Sequence, residues 1–410
     1  MAKVIMNKEL KQAKLFEPDP LQKLIRDEIR RVIEKTLGAE LEEALQASSY
    51  ERTEGRLGYR NGIKSRELGT SCGKVEIDAP RGLLFKKDGS GSTQTQEFQS
   101  QIIRRYERRA KQVDDAILGI YLSGCNTRRI KNALKPMLKG VPLSKSSISR
   151  LIASLRQGFE EWMSKSLADK KIVYVYADGF HVKVRSAGRV CKMPVLAVVA
   201  VLETGEKELL SLVMRGSESA DAWKGVLQDL VDRDLRRPAL VIADGGDGLL
   251  SAIATVWLGV KIQRCTFHKQ RNLLEHAPKH AHEEVLEDYH RIVYAKTLEA
   301  ARSAREYFLR KWTKRCAGVA KSLQEAGDDL LTFFQYPEAQ WKSLRTTNVI
   351  ERMNEEFRRR VKTQSSLPSE DAVQFVLFGL FASGQLSMRK IDGWEELREI
   401  TARRKMEAAT

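Results

Sequence analysis

Three strand patterns follow one another between residues 171 and 203, and helix and strand patterns then alternate as far as Cys265. The strand-like pieces read KIVYVYAD, HVKVRS and MPVLAVVAVLE; they precede the helix SADAWKGVLQDLVDR, the strand ALVIAD, the helix DGLLSAIATVW and the strand VKIQRC. Short runs rich in Val, Ile and Tyr favour strands, and apolar residues spaced by three or four favour helices. This order predicts an α/β domain with a ribonuclease H-like core.

The chain then changes character, because the pattern after His268 is almost wholly helical until Glu351. That stretch places Glu351 about a hundred residues beyond Asp244, which is too long for a simple connection within such a core. We therefore predict that residues 166–268 and 345–410 form the core and that an all-helical insertion occupies residues 269–344.

The residues before the core divide into three predicted regions. Residues 1–48 carry apolar positions at helical spacing and read as a helical arm for dimerisation or DNA docking. Residues 49–100 read as basic β-hairpins, with Asn61-Gly62 as a tight-hairpin pair. Within that region the polar stretch KKDGSGSTQT, residues 86–95, is typical of a flexible loop or linker.

Residues 101–165 contain three helical patterns, at residues 104–122, 127–134 and 146–155, in the order of a helix-turn-helix unit. The last helix would enter a major groove, and basic residues on the middle helix would clamp phosphate. A three-helix bundle with a solvated basic face would show the same pattern, so both interpretations stay open.

Charge points to a polyanionic partner. The 410 residues carry a net charge of +17 and a pI near 9.6, and Lys and Arg gain affinity for DNA by releasing its counterions. A basic enzyme with no such partner is the alternative. The side chains predicted to contact DNA are Arg104, Arg105, Arg108, Arg109, Arg128, Arg129, Lys131, Ser147, Arg150, Lys183, Arg185, Arg358, Arg359 and Lys362.

The five cysteines are odd in number and scattered, which favours a reducing compartment over a disulfide scaffold. The apolar runs are shorter than the roughly 20 residues that span a membrane. A cytoplasmic location and no membrane partner are expected.

Two aspartates, Asp178 and Asp244, each follow a short apolar run. If these runs form adjacent strands, the two carboxylates lie close enough to share Mg²⁺, which prefers oxygen ligands. The alternative is that each aspartate only begins a turn, because a glycine follows both.

Glu351 begins the helical stretch NVIERMNEEFRRRV, whose apolar stripe is Ile350, Met353, Phe357 and Val361. At the margin of this stripe, the Glu351 carboxylate would point into a cleft beside the sheet and complete a group of three acids. With Asn348 as N-cap, however, Glu351 would stand where a glutamate often caps the helix start.

Other acids compete for the same role. Asp221 and Asp247 lie in or before helices whose first turn favours acids in any case, so we rank them lower, along with Glu355 and Glu356. Cys265 and His268 form a C-x-x-H pair, and zinc would need two further ligands at suitable spacing. We expect this pair instead to support the strand that follows Asp244.

Four segments together resemble the signature of Mutator-type bacterial insertion-sequence transposases: YADGFHVKVR, VIADGGDGLLSAI, IQRCTFHKQRNLL and RTTNVIERMNEEFRRRVK. The resemblance extends over most of residues 50–385. It implies that Asp178, Asp244 and Glu351 form a DDE site that binds Mg²⁺, for which Mn²⁺ would substitute. It also implies that Cys265, His268, Asn348 and Asn354 surround those carboxylates.

The resemblance further implies an enzyme that cleaves DNA at the terminal inverted repeats of an element and joins the 3′-hydroxyl ends to target DNA. A homodimer on double-stranded DNA and association with the nucleoid are expected. Two alternatives remain: a structure-selective nuclease on the same core, and a captured DNA-binding regulator that no longer cuts. The regulator has no need of three clustered acids, because they repel DNA unless a metal offsets them.

Overall fold

The first of two structural units runs to Ala153 and begins with a long helix, α1 (Pro20–Leu45), packed on a sheet. The computed structural model describes residues 20–87, 93–123, 125, 127–134, 138, 141, 143–186, 189–361 and 370–407. The sheet is antiparallel, in the order β1-β2-β3, with strands β1 (Gly58–Thr70), β2 (Gly73–Lys87) and β3 (Thr93–Glu97). Leu37 of α1 packs against Leu68, Val75 and Ile77 of the sheet.

Two predictions for this sheet are wrong. Asn61-Gly62 lies inside β1, at a bulge between Arg60 and Ile63, where Gly62 has a φ of +76°. The positive φ that suits a tight hairpin also suits a bulge, so the dipeptide could not distinguish the two. Within the stretch 86–95, residues 86–87 and 93–95 belong to paired strands and form no linker; residues 88–92 lie outside the described part.

Three helices follow, α2 (Lys111–Leu122), α3 (Thr127–Leu134) and α4 (Lys145–Ser164). Val113, Ile117, Ile130 and Ile148 are among the buried residues that join them into one cluster. The predicted start of the first helix at Arg104 is wrong. The Gly69 N–H donates to the Arg108 carbonyl at 2.8 Å, and the Ala110 N–H donates to the Gly69 carbonyl at 2.8 Å, so this segment pairs with β1 before α2 begins.

The second unit, from Ser154, is built on a mixed five-stranded sheet in the order β6-β5-β4-β7-β8. Strands β4, β5 and β6 pair in antiparallel fashion, whereas β4 pairs with β7, and β7 with β8, in parallel. The strands are β4 (Ile172–Ser186), β5 (Arg189–Leu202), β6 (Lys207–Met214), β7 (Leu240–Ala243) and β8 (Lys261–Arg264).

Three successive strands are confirmed, but the residues predicted for two of them are wrong. Residues 171–178 and 181–186 were assigned to separate strands, whereas β4 runs through both without a turn at Asp178-Gly179. The third strand is β6, which the sequence pattern missed. Continuous pairing of β4 with β5 as far as Ser186↔Arg189 keeps the polar second half of β4 extended.

Helices α5 (Ala220–Asp232) and α6 (Asp247–Val256) cover one face of this sheet. The core between them alternates along each strand, so Val175 and Ala177 of β4 face Trp223 and Ile253 of the helices. Tyr174 and Tyr176 point to the opposite face, where their hydroxyls donate to Gln340 Oε1 at 2.6 Å and to the Ser343 carbonyl at 3.0 Å. By the same alternation, Asp178 lies on that second face.

The stretch between β8 and Glu351 is helical, as predicted. Tyr289, Phe308, Trp312 and Leu323 are central to its own buried core. Its helices are α7 (Thr266–Glu275), α8 (His282–Val293), α9 (Leu298–Arg315), α10 (Ala317–Glu325) and the short α11 (Trp341–Leu344).

Three helices complete the unit, α12 (Asn348–Val361), α13 (Glu370–Ala382) and α14 (Leu397–Glu407). Ile350, Met353 and Phe357 of α12 are buried, so the predicted apolar stripe is confirmed for these residues; the Val361 side chain lies outside the described part. Among the described residues, no helix combines the length and apolarity that a membrane span requires.

Candidate active site

Asp178 and Asp244 lie on neighbouring strands. Strands β4 and β7 run parallel with Ala177 opposite Ala243, and this is the last pair of their ladder. The next residue on each strand is an aspartate. The parallel register therefore brings the two side chains to the same point of the sheet. The prediction that Asp178 lies at the end of its strand is wrong, because β4 continues to Ser186.

Asp178 is nearly inaccessible to solvent, with 3% of its surface exposed. Its pKa is raised to about 7, mainly by burial; the charges of Asp244 and Glu351 raise it further, and His268 and a hydrogen bond from Thr347 oppose the rise. A carboxyl group responds in this way when other carboxylates lie near it in a poorly solvated site. The charges of the other two predicted acids are thus felt at Asp178.

Asp244 begins a turn, so the turn interpretation of this residue is confirmed, and its metal-binding role stays a prediction. Its Oδ1 accepts a hydrogen bond from the Gly246 N–H at 2.9 Å. Gly245 between them has a φ of +93°, and a Cβ there would lie 2.3 Å from the Arg264 guanidinium. Glycine is therefore required at 245, and the turn directs the chain from β7 into α6.

Glu351 reaches the cluster from α12. Its Oε1 lies 3.6 Å from Nε2 of His268, and its side chain is 29% exposed. The predicted N-cap at Asn348 is wrong, because the Thr347 carbonyl accepts the first hydrogen bonds of the helix, from the N–H groups of Ile350 at 2.8 Å and Glu351 at 3.3 Å. The helix thus starts one residue earlier than a capping glutamate at position 351 requires.

Cys265 and His268 lie beside the carboxylates, as expected for the C-x-x-H pair. The Cys265 N–H donates to the Ala243 carbonyl at 2.7 Å, and its side chain is fully buried. The pKa of His268 is raised to about 9: burial acts to lower it, but Cys265, Asp178 and Asp244 outweigh that effect. Nδ1 of the ring is buried and makes no hydrogen bond of normal geometry.

Sequence reasoning missed three side chains at this site. Thr347 donates a hydrogen bond from Oγ1 to Oδ2 of Asp178 at 2.7 Å. Glu218 Oε1 lies 3.7 Å from Nδ1 of His181, and burial raises the Glu218 pKa. A Cβ at position 179 would lie 2.6 Å from that same Oε1, so Gly179 lets Glu218 approach β4. Threonine is a common residue directly before a helix, so the sequence could have indicated Thr347. Nothing in the residue spacing indicated Glu218 or His181.

The other candidate residues differ in their exposure and contacts. Asn348 is exposed, and Asn354 has a buried Oδ1 without a hydrogen-bond partner. Asp221 and Asp247 are exposed in the first turns of α5 and α6, where acids are favourable in any case. Glu355 is exposed, and Glu356 forms an ion pair with Arg359 at 2.6 Å.

With this geometry in place, comparison with known proteins decides the family. The family described as "Transposase, Mutator family" matches residues 2–387. This chain belongs to the Mutator family of transposases.

Curated relatives within the family are transposases for insertion sequence elements. The transposase for ISRM5 of Rhizobium meliloti is 34% identical over 363 residues, which are 88% of this chain and 87% of that protein. The transposase for IS256 in transposon Tn4001 of Staphylococcus aureus is 31% identical over 337 residues, 80% of this chain and 81% of that one. The crystal structure of the Mos1 strand transfer complex, at 11% identity with a TM-score of 0.15, covers 57% of this chain and 82% of that chain, and carries no argument.

The three acids are of the chemical type that binds a divalent metal. Asp178, Asp244 and Glu351 offer carboxylate oxygens, the ligands that Mg²⁺ prefers. Two of these acids raise the pKa of the third, so the cluster holds negative charge that a cation would relieve. Among the described residues, no three His, Cys, Asp or Glu side chains are placed so that together they could hold a metal ion.

The basic side chains predicted to contact DNA are spread over both units of this Mutator-family chain. Arg105 pairs with Glu97 at 3.1 Å and Arg109 with Asp114 at 2.7 Å, so these two charges are partly neutralised within the first unit. The side chains of Arg128 and Arg185, and all of Lys362, lie outside the described part. Ser147 is half-buried. The exposed side chains of this set are Arg104, Arg108, Arg129, Lys131, Arg150, Lys183, Arg358 and Arg359.

Proposed function

We propose that this chain is a DDE transposase that binds the terminal inverted repeats of an insertion sequence and, with Mg²⁺, cleaves them and joins their 3′ ends to target DNA. The observation that carries the proposal is the Ala177↔Ala243 register, which puts Asp178 and Asp244 side by side. Membership of a transposase family supports the same reaction.

We also propose that the second unit has a ribonuclease H-like core. Its strand order, with three antiparallel strands followed by two parallel ones, and its helices α5 and α6 on one face support this fold. The helices between β8 and α12 would then be the insertion, and they carry their own buried core. The insertion lies in sequence between the second and third acids, as the distance from Asp244 to Glu351 suggested.

In the proposed reaction, Asp178, Asp244 and Glu351 would hold Mg²⁺. The metal, when bound, supplies activation of a water or 3′-hydroxyl and stabilisation of the leaving oxygen in an in-line displacement at phosphorus. The chain itself orients the acids: the sheet register aligns the two aspartates, and α12 delivers Glu351. His268, with its pKa near 9, adds positive charge beside Glu351.

The basic side chains that the sequence predicts to contact DNA would hold it, because neutralising phosphates releases counterions. Two copies of the chain would hold the two ends of the element, and Mn²⁺ would replace Mg²⁺. Two alternatives predict different products. A nuclease would hydrolyse DNA without joining it, and a regulator would bind DNA without cutting it.

The test is a cleavage and strand-transfer assay on DNA that carries the inverted repeats of the element, with Mg²⁺ present. Glu351→Gln removes one charge at the cluster, whereas Glu355→Gln removes an exposed charge one turn further along the same helix. We expect cleavage and joining by the wild type and Glu355→Gln, and a loss of at least about a hundredfold in Glu351→Gln.

Three results would argue against the proposal. Full activity of Glu351→Gln would move the third acid elsewhere. Hydrolysis without joining would indicate a nuclease. Binding to the repeats without cleavage by the wild type would indicate a regulator. Circular dichroism of each variant checks that the fold is retained.

A further inference from the structure

Thr347 occupies the point where the elements of the site meet. It is fully buried, directly before α12 and across from β4. Its hydroxyl donates to Oδ2 of Asp178 at 2.7 Å, and the Cys265 sulfur lies farther from the same oxygen, at 3.6 Å. The 3.6 Å contact is also of hydrogen-bond length for sulfur, but a carboxylate oxygen is the stronger acceptor of the hydroxyl proton.

The backbone of Thr347 extends this contact to the other two acids. Its carbonyl accepts from the Glu351 N–H at 3.3 Å, and its N–H donates to the Cys265 sulfur at 3.4 Å. Cys265 in turn donates its N–H to the Ala243 carbonyl, directly before Asp244. One residue thus connects to Asp178 through its side chain, to Glu351 through its carbonyl, and to the strand of Asp244 through Cys265.

The direction of the hydroxyl sets Thr347 apart from an ordinary capping residue. A threonine before a helix commonly turns its oxygen to the free N–H groups of the first turn. Here the hydroxyl donates to a carboxylate on a strand that is distant in sequence. Helix capping alone does not require that bond, and a hydrogen bond to a charged group in a dry site is among the stronger ones.

We propose that Thr347 is a positioning residue whose hydroxyl orients the Asp178 carboxylate and keeps it in register with Glu351 for metal binding. The inference rests on the proposed function, because it assigns a role toward the metal that those acids would hold. Residues that hydrogen-bond to metal ligands typically change metal affinity or activity by about 10–100-fold when they are replaced. Cys265 is the sulfur through which the same threonine reaches the strand of Asp244.

The test compares Thr347→Val, which keeps the shape and removes the hydroxyl, with Thr347→Ser, which keeps the hydroxyl. Thr347→Ala is a second deletion variant in case valine is not accommodated. Thr332→Val is the matched control, because Thr332 is also buried and its hydroxyl donates to the Asp329 carbonyl at 3.4 Å, within the helical stretch after β8. Mn²⁺ affinity of the full chain is measured by electron paramagnetic resonance, together with cleavage rate and melting temperature.

We expect Thr347→Val and Thr347→Ala to lose about tenfold or more in Mn²⁺ affinity and in cleavage rate. Thr347→Ser and Thr332→Val should stay within about threefold of the wild type. Rescue by serine separates orientation of the carboxylate from simple packing, since serine lacks the methyl group but retains the donor.

Two results would overturn the inference while the proposed function stands. One is wild-type Mn²⁺ affinity and cleavage in Thr347→Val. The other is a loss in Thr347→Ser as large as that in Thr347→Val, which would assign Thr347 to packing. If the wild type bound Mn²⁺ no better than Asp178→Asn and did not cleave, the proposed function would itself fall, and the positioning role with it.

Discussion

Two groups of acids in the second unit differ in how the chain treats their charge. In the helical stretch after β8, Glu284 and Asp288 of α8 both pair with Lys311 of α9, at 2.7 and 2.6 Å, and Glu284 also pairs with Arg315. The pKa of Glu284 is lowered to about 2 by its hydrogen bonds with Arg315 and Lys311. Within β4, burial and neighbouring acids instead raise the pKa of Asp178 to about 7.

The difference separates acids whose charge the chain neutralises from acids whose charge it leaves less compensated. The α8 acids are neutralised by cations of the same chain, so their charge is already spent on joining two helices. The acids near Asp178 are opposed by the Thr347 hydroxyl, the Gly246 N–H and His268, and the pKa of Asp178 is still raised. Groups with perturbed pKa values are common at functional sites, and this is the reason for testing the Asp178 group first.

The largest expected effect separates the two groups by activity. Asp178→Asn should lower the rate of strand cleavage by about a thousandfold, because it removes charge where the metal would bind. Glu284→Gln, which also removes one carboxylate charge, should leave the rate within about twofold. Single-turnover cleavage assays measure both. Similar losses of rate in the two variants would show that the acids near Asp178 and the acids of α8 do not differ in function.

The second largest expected effect is a loss of protein stability when an acid that neutralises buried cations is removed. Glu325 of α10 pairs with Arg264 and with Lys269, whose side chains are only 4% and 2% exposed. Glu325→Ala leaves two buried cations without their acid and should destabilise the protein by about 2 kcal/mol, less than for a fully buried pair because Glu325 is itself 49% exposed.

The matched control is Glu287→Ala. The Glu287–Arg291 pair is exposed at 65% and 56%, and its loss should cost less than about 0.5 kcal/mol. The midpoint of urea unfolding reports both changes. Equal shifts would show that burial of the cations is not what makes the Glu325 cluster stabilising.

The smallest effect is the pH dependence of stability without metal. Because the folded pKa of Asp178 is raised to about 7, its protonated form contributes stability that is complete below pH 4 and is lost as the pH rises through 7. The metal-free protein should therefore melt lower at pH 8 than at pH 6, and Asp178→Asn should reduce this difference.

Mg²⁺ should reverse the trend, because it competes with the proton for the same carboxylates. At ten times its Kd it adds about 1.4 kcal/mol, and the gain should be larger at pH 8 than at pH 6. Thermal shift assays in EDTA measure the pH dependence without metal, and the same assays in Mg²⁺ measure the stabilisation by the metal. An equal Mg²⁺ effect in Asp178→Asn would place the metal elsewhere.

Much of the second unit was predictable because burial leaves periodic patterns in a sequence. The run LVIA of β7, the apolar stripe of α12 and the helical stretch after His268 all appear in the structure where the pattern indicated. Where a pattern had two physical solutions, prediction was wrong: Asn61-Gly62 became a bulge, and Asp178-Gly179 continued a strand. Local sequence does not contain the partner strand that decides between them.

By itself the sequence pointed to Asp178, Asp244 and Glu351 as candidates, because acids placed after apolar runs and at the start of an amphipathic helix are a one-dimensional signal. The tertiary structure alone decided how these residues meet. The Ala177↔Ala243 register, the direction of the Thr347 hydroxyl and the approach of Glu218 to Gly179 depend on contacts between residues far apart in the chain. Such contacts are selected by packing in three dimensions, so no local pattern records them.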